Sequence, residues 1–222
     1  SIGNYSDDSI YTNCTINISK SFIRNINKLT MINCIVTPKL GFNERYNFSF
    51  TSGHKNDYYF YNCNFLGKSK LDSHGSFYSG SFINCTFYDV NISPNVNANS
   101  DDLIYFENCT INYSDNNLIY YCPFAYTKGT FTQIEFVECS IKNTDNNIKS
   151  LIYAYAKPNG FIKFLNCIIT LPKDLIIFDG YPSNRNYITN YSVNFINSPL
   201  PNTIQLISTK YNNNSNIKFN IL

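Results

Sequence analysis

The feature that most constrains this chain is a short cysteine motif that recurs along most of its 222 residues. The motif reads FINCTF at 82–87, FENCTI at 106–111, FVECSI at 136–141 and FLNCII at 164–169. Successive copies lie 20 to 31 residues apart, and Ser198 replaces the cysteine of the last copy. Recurrence at this spacing is typical of a repeat protein. The aligned cysteines are Cys14, Cys34, Cys63, Cys85, Cys109, Cys139 and Cys167.

The residues around each cysteine predict two short strands that meet at a corner. Phe87 follows Cys85 by two places, a spacing that puts both side chains on one face of a strand. Phe82, three places before Cys85, is out of phase with that face, so the chain must turn between them. Asparagine tolerates the left-handed conformation that such a bend needs, and we expect the cysteine to be a small apolar residue just inside it. The corner column is Asn13, Asn33, Asn62, Asn84, Asn108, Glu138, Asn166 and Asn197.

Apolar segments between the motifs predict a third strand in each repeat. A repeat of three strands predicts an all-β solenoid of about eight coils, with an inward ladder of Cys, Phe and Ile side chains. We expect one domain over 1–222, with excess residues in loops and Ile217–Leu222 as a final closing strand. The predicted third strands are Phe22–Ile26, Tyr46–Phe50, Leu118–Tyr121, Leu151–Tyr155, Leu175–Phe178 and Ile204–Ile207.

These coils resemble the right-handed, single-stranded parallel β-helix of the pectate-lyase-like superfamily. The asparagine corner and the apolar ladders carry the resemblance from residue 9 to residue 200. Among such proteins the chain is most similar to the β-helical tail fibres, spikes and appendages of bacteriophages. The resemblance implies a structural or receptor-binding protein of a virion or cell surface that forms a homotrimer and recognises surface glycan. Other virion or surface proteins are then expected at the ends of the solenoid, where strand edges need cover.

The resemblance also leaves two other functions open. One is a prokaryotic adhesin-like repeat protein, and the other is a polysaccharide lyase or glycoside hydrolase acting on an acidic or surface polysaccharide. A glycosidase needs two carboxylates on either side of the scissile bond. Glu107 and Glu135, on adjacent predicted coils, are the candidate catalytic pair, and otherwise they are surface charges. They stand two and four places before their cysteines, so one of them could instead face the corner.

Loops that follow the third strands are the candidate glycan-binding region. We expect the loops at 51–56, 123–130, 156–160 and 180–190 to lie along one edge of the solenoid. Tyrosine stacks on sugar faces, whereas basic side chains bind hydroxyl and carboxylate groups. Alternatively, these aromatic side chains fold back and cover the solenoid. The candidates are Tyr126, Tyr181, Tyr187, Arg185, His54 and Lys128.

An apolar column two places before the cysteine is the candidate subunit interface. Residues in this column are expected to point away from the interior, because they alternate with the inward aromatic column. An outward apolar row favours a buried contact between subunits. Alternatively, the register is shifted by one residue and the column is partly internal. The candidates are Ile32, Ile83, Val137, Leu165 and Ile196.

Composition and spacing also exclude several kinds of partner. The net charge is only +2, so the chain lacks the dense basic surface that nucleic-acid binding requires. No apolar run approaches the roughly 18 residues that predict a membrane span. Cysteines in one inward column favour buried thiols over disulfides, and no Cys-x-x-Cys pair suggests zinc. We therefore expect no cofactor and no metal.

Overall fold

The computed structural model describes residues 8–18, 21–24, 28–38, 46–51, 58–67, 69–72, 80–93, 103–113, 118–121, 130–143, 150–154, 158–171, 176–180, 189–200, 204–207 and 215–222. Within these ranges the chain contains strands and no helix, and every strand pairing is parallel. Strands from successive motifs join three sheets in turn, and each strand bonds to its counterpart one coil along the axis. The predicted parallel β-solenoid is confirmed.

Sheet 1 precedes the corner and sheet 2 follows it. Sheet 1 consists of β1 (Ser9–Thr12), β4 (Leu29–Ile32), β7 (Tyr58–Tyr61), β10 (Gly80–Ile83), β13 (Leu103–Glu107), β16 (Thr130–Val137), β19 (Pro158–Leu165), β22 (Thr189–Ile196) and β24 (Ser215–Ile221). Sheet 2 consists of β2 (Thr15–Ile18), β5 (Ile35–Pro38), β8 (Asn64–Phe65), β11 (Thr86–Tyr88), β14 (Thr110–Tyr113), β17 (Ser140–Asn143) and β20 (Ile168–Thr170).

Sheet 3 returns the chain to sheet 1, and it contains two strands that the sequence pattern did not predict. These are the third and fourth of its members, SKLD and VNIS, which lack a run of large apolar residues. In-register pairing between these two strands holds them in the sheet, although their own sequences have little preference for a strand. The sheet consists of β3 (Ser21–Arg24), β6 (Tyr46–Thr51), β9 (Ser69–Asp72), β12 (Val90–Ser93), β15 (Ile119–Tyr121), β18 (Ser150–Ala154), β21 (Ile176–Gly180) and β23 (Gln205–Ile207).

Some predicted loop residues belong to sheet 1 instead. The segment 158–160, expected in a loop, starts β19 and pairs with residues 130–132 of β16. Likewise, β22 starts at Thr189, inside the predicted loop at 180–190. The final strand, β24, starts two residues earlier than expected and pairs with β22. Strand pairing thus extends sheet 1 into polar sequence that has no alternating pattern of its own.

A stack of phenylalanines runs through the interior along the axis. Neighbouring rings lie 4.6 to 5.0 Å apart and are inclined by 5° to 11°, the offset-stacked geometry that aromatic pairs favour. All of them are fully buried. A second pair, Phe65 and Phe87, packs edge-on against this stack from sheet 2. The stacked residues are Phe60, Phe82, Phe106, Phe136, Phe164 and Phe195.

The corner between sheets 1 and 2 has the left-handed backbone that its asparagines allow. All eight corner residues have φ between 48° and 54°, including Glu138 at 54°. Asparagine amides also bond along the row: Asn33 Nδ2 donates to Asn13 Oδ1 at 3.2 Å, and Asn62 Nδ2 donates to Asn33 Oδ1 at 3.3 Å. Glu138 cannot donate in this way when ionised, so it interrupts the row of amides between Asn108 and Asn166.

Six of the motif cysteines, Cys34, Cys63, Cys85, Cys109, Cys139 and Cys167, are buried thiols that form hydrogen bonds as well as apolar contacts. Cys109 Sγ lies 3.3 Å from the carbonyl oxygens of Phe82, one coil earlier, and Glu107, in its own coil. Ser198 stands where the other copies have the cysteine. Its Oγ donates a hydrogen bond to Ile196 O at 3.0 Å and accepts one from Cys167 N at 2.8 Å. Cys167 Sγ likewise lies 3.4 Å from Phe136 O, one coil earlier, and 3.5 Å from Leu165 O in its own coil. The expected role as a small apolar residue was therefore incomplete.

Candidate functional site on the outer face of sheet 1

Two rows of outward side chains run the length of sheet 1. The corner-side row lies two places before the cysteine column, and the mid-strand row lies four places before it. In-register pairing aligns each row, while the positions between them are buried from β4 to β22. The corner-side row is Thr12, Ile32, Tyr61, Ile83, Glu107, Val137, Leu165 and Ile196. The mid-strand row is Ile10, Thr30, Tyr59, Ser81, Tyr105, Glu135, Lys163 and Asn194.

These rows place both candidate carboxylates on the same outer face. Glu107 is in the corner-side row on β13, and Glu135 is in the mid-strand row on the adjacent strand β16. Tyr105 lies directly beside Glu135 in the mid-strand row, and Lys163 lies on its other side. We call Tyr105, Glu107, Glu135 and Lys163 the carboxylate cluster. Neither carboxylate turns into the corner, because the inward positions of β13 and β16 are occupied by apolar residues.

Each carboxylate of the cluster already has a partner. The Tyr105 hydroxyl donates to Glu107 Oε2 at 3.1 Å. Lys163 Nζ lies 3.5 Å from Glu135 Oε1, and both side chains of this ion pair are largely buried, with exposed fractions of 29% and 21%. Burial and the hydrogen bond to Glu107 raise the pKa of Tyr105 to about 12. The tyrosine therefore keeps its proton at neutral pH and acts as a hydrogen-bond donor.

Glu107 also interrupts the corner-side row and so separates two patches on the outer face of sheet 1. The N-terminal patch consists of Thr30, Ile32, Tyr59, Tyr61, Ser81 and Ile83 on β4, β7 and β10. The C-terminal patch consists of Val137, Leu165 and Ile196 on β16, β19 and β22. Burying the whole row in one contact would desolvate the Glu107 carboxylate, which is costly for an ionised group. The row is therefore two surfaces rather than one.

Two tyrosines dominate the N-terminal patch. Tyr59 and Tyr61 stand two places apart on β7, and their rings stack with centroids 6.5 Å apart and planes only 3° from parallel. Tyr59 is 38% exposed. The sequence pattern assigned neither of these residues, nor Tyr105, to a candidate site. An aromatic residue at an outward position of a short strand was the signal that could have identified them.

The candidate glycan-binding residues lie outside the described part of the chain. These loop residues are His54, Tyr126, Lys128, Tyr181, Arg185 and Tyr187. Seven cysteines are free thiols in the described part of the chain. No group of three acidic, His or Cys side chains that could hold a metal ion occurs among the residues in these ranges.

Comparison with known proteins adds no assignment to this site. No family model, curated protein or solved structure matches the chain. Among the described residues, no helix has the length and apolar character needed to cross a bilayer. The function must therefore be argued from the surfaces of the solenoid themselves.

Proposed function

We propose that this chain is a structural and receptor-binding protein of a virion or cell surface that recognises surface glycan through a rigid β-solenoid. The observation that carries the proposal is the outer face of sheet 1, where tyrosines and hydrogen-bonding side chains are held in register on paired strands. Side chains held on paired strands lose little conformational entropy when a ligand binds. The assignment to a right-handed β-helix of the phage tail-fibre kind rests on the resemblance of the coils.

The partners of the two carboxylates favour binding over catalysis. A glycosidase uses one carboxylic acid as a proton donor and a second carboxylate as base or nucleophile. Here Glu107 accepts a hydrogen bond from Tyr105, while Glu135 pairs with the Lys163 ammonium group. Each contact engages a carboxylate oxygen and fixes the orientation of the side chain. Such a cluster is suited to forming hydrogen bonds with hydroxyl groups of a bound sugar.

The proposed assembly is a homotrimer in which the C-terminal patch lies against a neighbouring subunit. Val137, Leu165 and Ile196 are half-buried side chains on three consecutive strands, so together they form a continuous apolar strip. Ile32 and Ile83, also predicted to be in the interface, are separated from this strip by Glu107. We therefore limit the proposed subunit contact to the C-terminal patch.

Molar mass from light scattering tests the assembly, followed by incubation of the same sample with surface polysaccharides. We expect a trimer that binds polysaccharide and releases neither reducing ends nor unsaturated sugars. Leu165→Lys should reduce the mass to that of a monomer, because it introduces a charge into the apolar strip. Ile168→Lys is the matched control, since Ile168 is 70% exposed on sheet 2 in the same coil. A wild-type monomer that degrades polysaccharide would contradict the proposal.

A polysaccharide lyase or hydrolase is the second candidate, favoured by one observation. Glu107 and Glu135 lie on the same face of adjacent strands, which allows both to approach one bound glycan. If the chain is such an enzyme, Glu107→Gln and Glu135→Gln should each abolish product release while leaving the mass unchanged. An adhesin-like protein remains an alternative; it predicts many more coils in the full gene and no polysaccharide cleavage.

A further inference from the structure

The N-terminal patch combines aromatic, aliphatic and hydroxyl groups in a regular arrangement. In the mid-strand row, Tyr59 stands between Thr30 on β4 and Ser81 on β10. In the corner-side row, Tyr61 stands between Ile32 and Ile83 on the same strands. One edge of the patch is therefore aromatic and polar, whereas the other is aromatic and aliphatic. Three strands at about 4.8 Å spacing make it about 10 Å wide.

We propose that the N-terminal patch is a binding site for uncharged sugar rings, with Tyr59 and Tyr61 as the stacking residues. The inference rests on the proposed glycan-binding function and adds to it a site and a ligand class. Sugar rings present an apolar face of C–H groups and a rim of hydroxyls. The two parallel tyrosine rings offer aromatic surface against which the C–H face of a sugar ring can stack. Thr30 and Ser81 provide hydroxyl groups that can donate hydrogen bonds to the sugar hydroxyls or accept hydrogen bonds from them.

The absence of charged side chains from these strands favours an uncharged ligand. None of the eight outward residues on β1, β4, β7 and β10 carries a charge: Ile10, Thr12, Thr30, Ile32, Tyr59, Tyr61, Ser81 and Ile83. The eight side chains include no cation, so the carboxylates of an acidic polysaccharide would lose hydration against them without gaining an ion pair from the patch itself. Binding an uncharged sugar carries no such cost.

The hydroxyl groups also favour a sugar over a second copy of the chain. An apolar partner surface would cover Thr30 and Ser81 and deprive their hydroxyls of water, which is unfavourable without replacement hydrogen bonds. Tyrosine supplies rigid, amphipathic contact area at small entropic cost, which suits it to a ligand that is partly apolar and partly polar. Since Tyr59 is 38% exposed, its ring is accessible from solution.

An array of uncharged and anionic oligosaccharides, probed with the full chain, tests the site. The variants are Tyr59→Ala and Tyr61→Ala, with Tyr59→Phe to retain the ring. Tyr88→Ala is the matched control, because Tyr88 is 50% exposed on sheet 2, away from the patch. We expect the wild type to bind uncharged members of the array. Each alanine variant should weaken that binding about tenfold, as is typical of aromatic contact residues, while Tyr59→Phe and Tyr88→Ala retain it.

The possible outcomes separate this site from the broader proposal. If uncharged sugars bind but Tyr59→Ala and Tyr61→Ala have no effect, the site is wrong and glycan recognition stands. Binding to anionic members alone would overturn the uncharged-ligand assignment, and binding to no member would overturn both proposals. A change in molar mass caused by Tyr59→Ala would show that the patch contacts another copy. Thermal unfolding of each variant, compared with Tyr59→Phe, excludes loss of binding through misfolding.

Discussion

The two halves of sheet 1 share an interior and differ on the outside. In the N-terminal half, β1, β4, β7 and β10 have four residues each and an uncharged outer face. In the C-terminal half, from β13 to β24, strands β16, β19 and β22 have eight residues each, and the outer face carries Glu107, Glu135, Lys163 and Lys218. The phenylalanine stack and the corner continue through both halves. Inward positions are therefore fixed by the repeat, while outward positions are free to differ in function.

The largest expected effect tests whether the interior is as uniform as it looks. Phe82→Ala in the N-terminal half and Phe164→Ala in the C-terminal half should each lower the free energy of unfolding by about 3–5 kcal/mol. Both rings are fully buried in the same stack, so the two losses should be similar. Urea-induced unfolding measures them, with exposed Tyr88→Ala as a near-neutral control. Markedly unequal losses would mean that the halves differ inside as well as outside.

A smaller effect is expected from the thiol row where the two halves meet. Cys109→Ala should lower the free energy of unfolding by about 1–3 kcal/mol, because the thiol's hydrogen bonds to buried backbone are lost. Cys109→Ser should lose less, because Ser198 forms the equivalent bonds in the last coil. Equilibrium unfolding in urea compares the two variants. An alanine variant as stable as the serine variant would show that the thiol is only a space-filling group.

The corner of the C-terminal half can be made more like that of the N-terminal half. Glu138→Asn should raise the free energy of unfolding by about 1 kcal/mol, because asparagine tolerates the left-handed conformation better than glutamate. It would also restore an amide between Asn108 and Asn166. The reverse substitution, Asn108→Glu, should destabilise by a similar amount. Thermal unfolding gives both changes, and a less stable Glu138→Asn variant would indicate that Glu138 makes a specific contact.

A pH dependence of stability is expected from Tyr105 in the carboxylate cluster. Tyr105 has a folded-state pKa of about 12, whereas that of an unfolded tyrosine is about 10. Its contribution to stability is fully present below pH 10 and is lost as the pH rises through 12. The stability difference between wild type and Tyr105→Phe should therefore shrink over that window. A difference that is constant from pH 9 to pH 12 would exclude a raised pKa for Tyr105.

The corner and the inward faces could be predicted because they depend on local rules. Two-residue periodicity identified the inward side chains, and the left-handed preference of asparagine identified the bend. Strands β9 and β12 were missed because their pairing depends on neighbouring coils rather than on their own polar sequences. The alternation of residues along one strand shows which face each side chain occupies, whereas only the register between strands shows which residues of neighbouring coils lie side by side.

The candidate site was predicted less completely for the same reason. Glu107 and Glu135 were identified from their positions in the motif, but their partners Tyr105 and Lys163 were not. Both partnerships depend on contacts that a single column does not reveal: one joins residues two apart in a strand, and the other joins successive coils. Glu107 divides the corner-side row because it lies in register between Ile83 and Val137, and the motif alone does not give that register.

Hydrogen bonds between corners have a consequence for how the chain tolerates change in length. Asn33 reaches Asn13 across 20 residues, and Asn197 reaches Asn166 across 31, yet both amide bonds are 3.2 Å long. The distance along the axis from one corner to the next is thus independent of the length of chain between them. Lengthening a flexible connection costs only about 0.6 kcal/mol per doubling. Insertions between a sheet 3 strand and the next sheet 1 strand should therefore change the circumference of a coil and leave the axial rise unaltered.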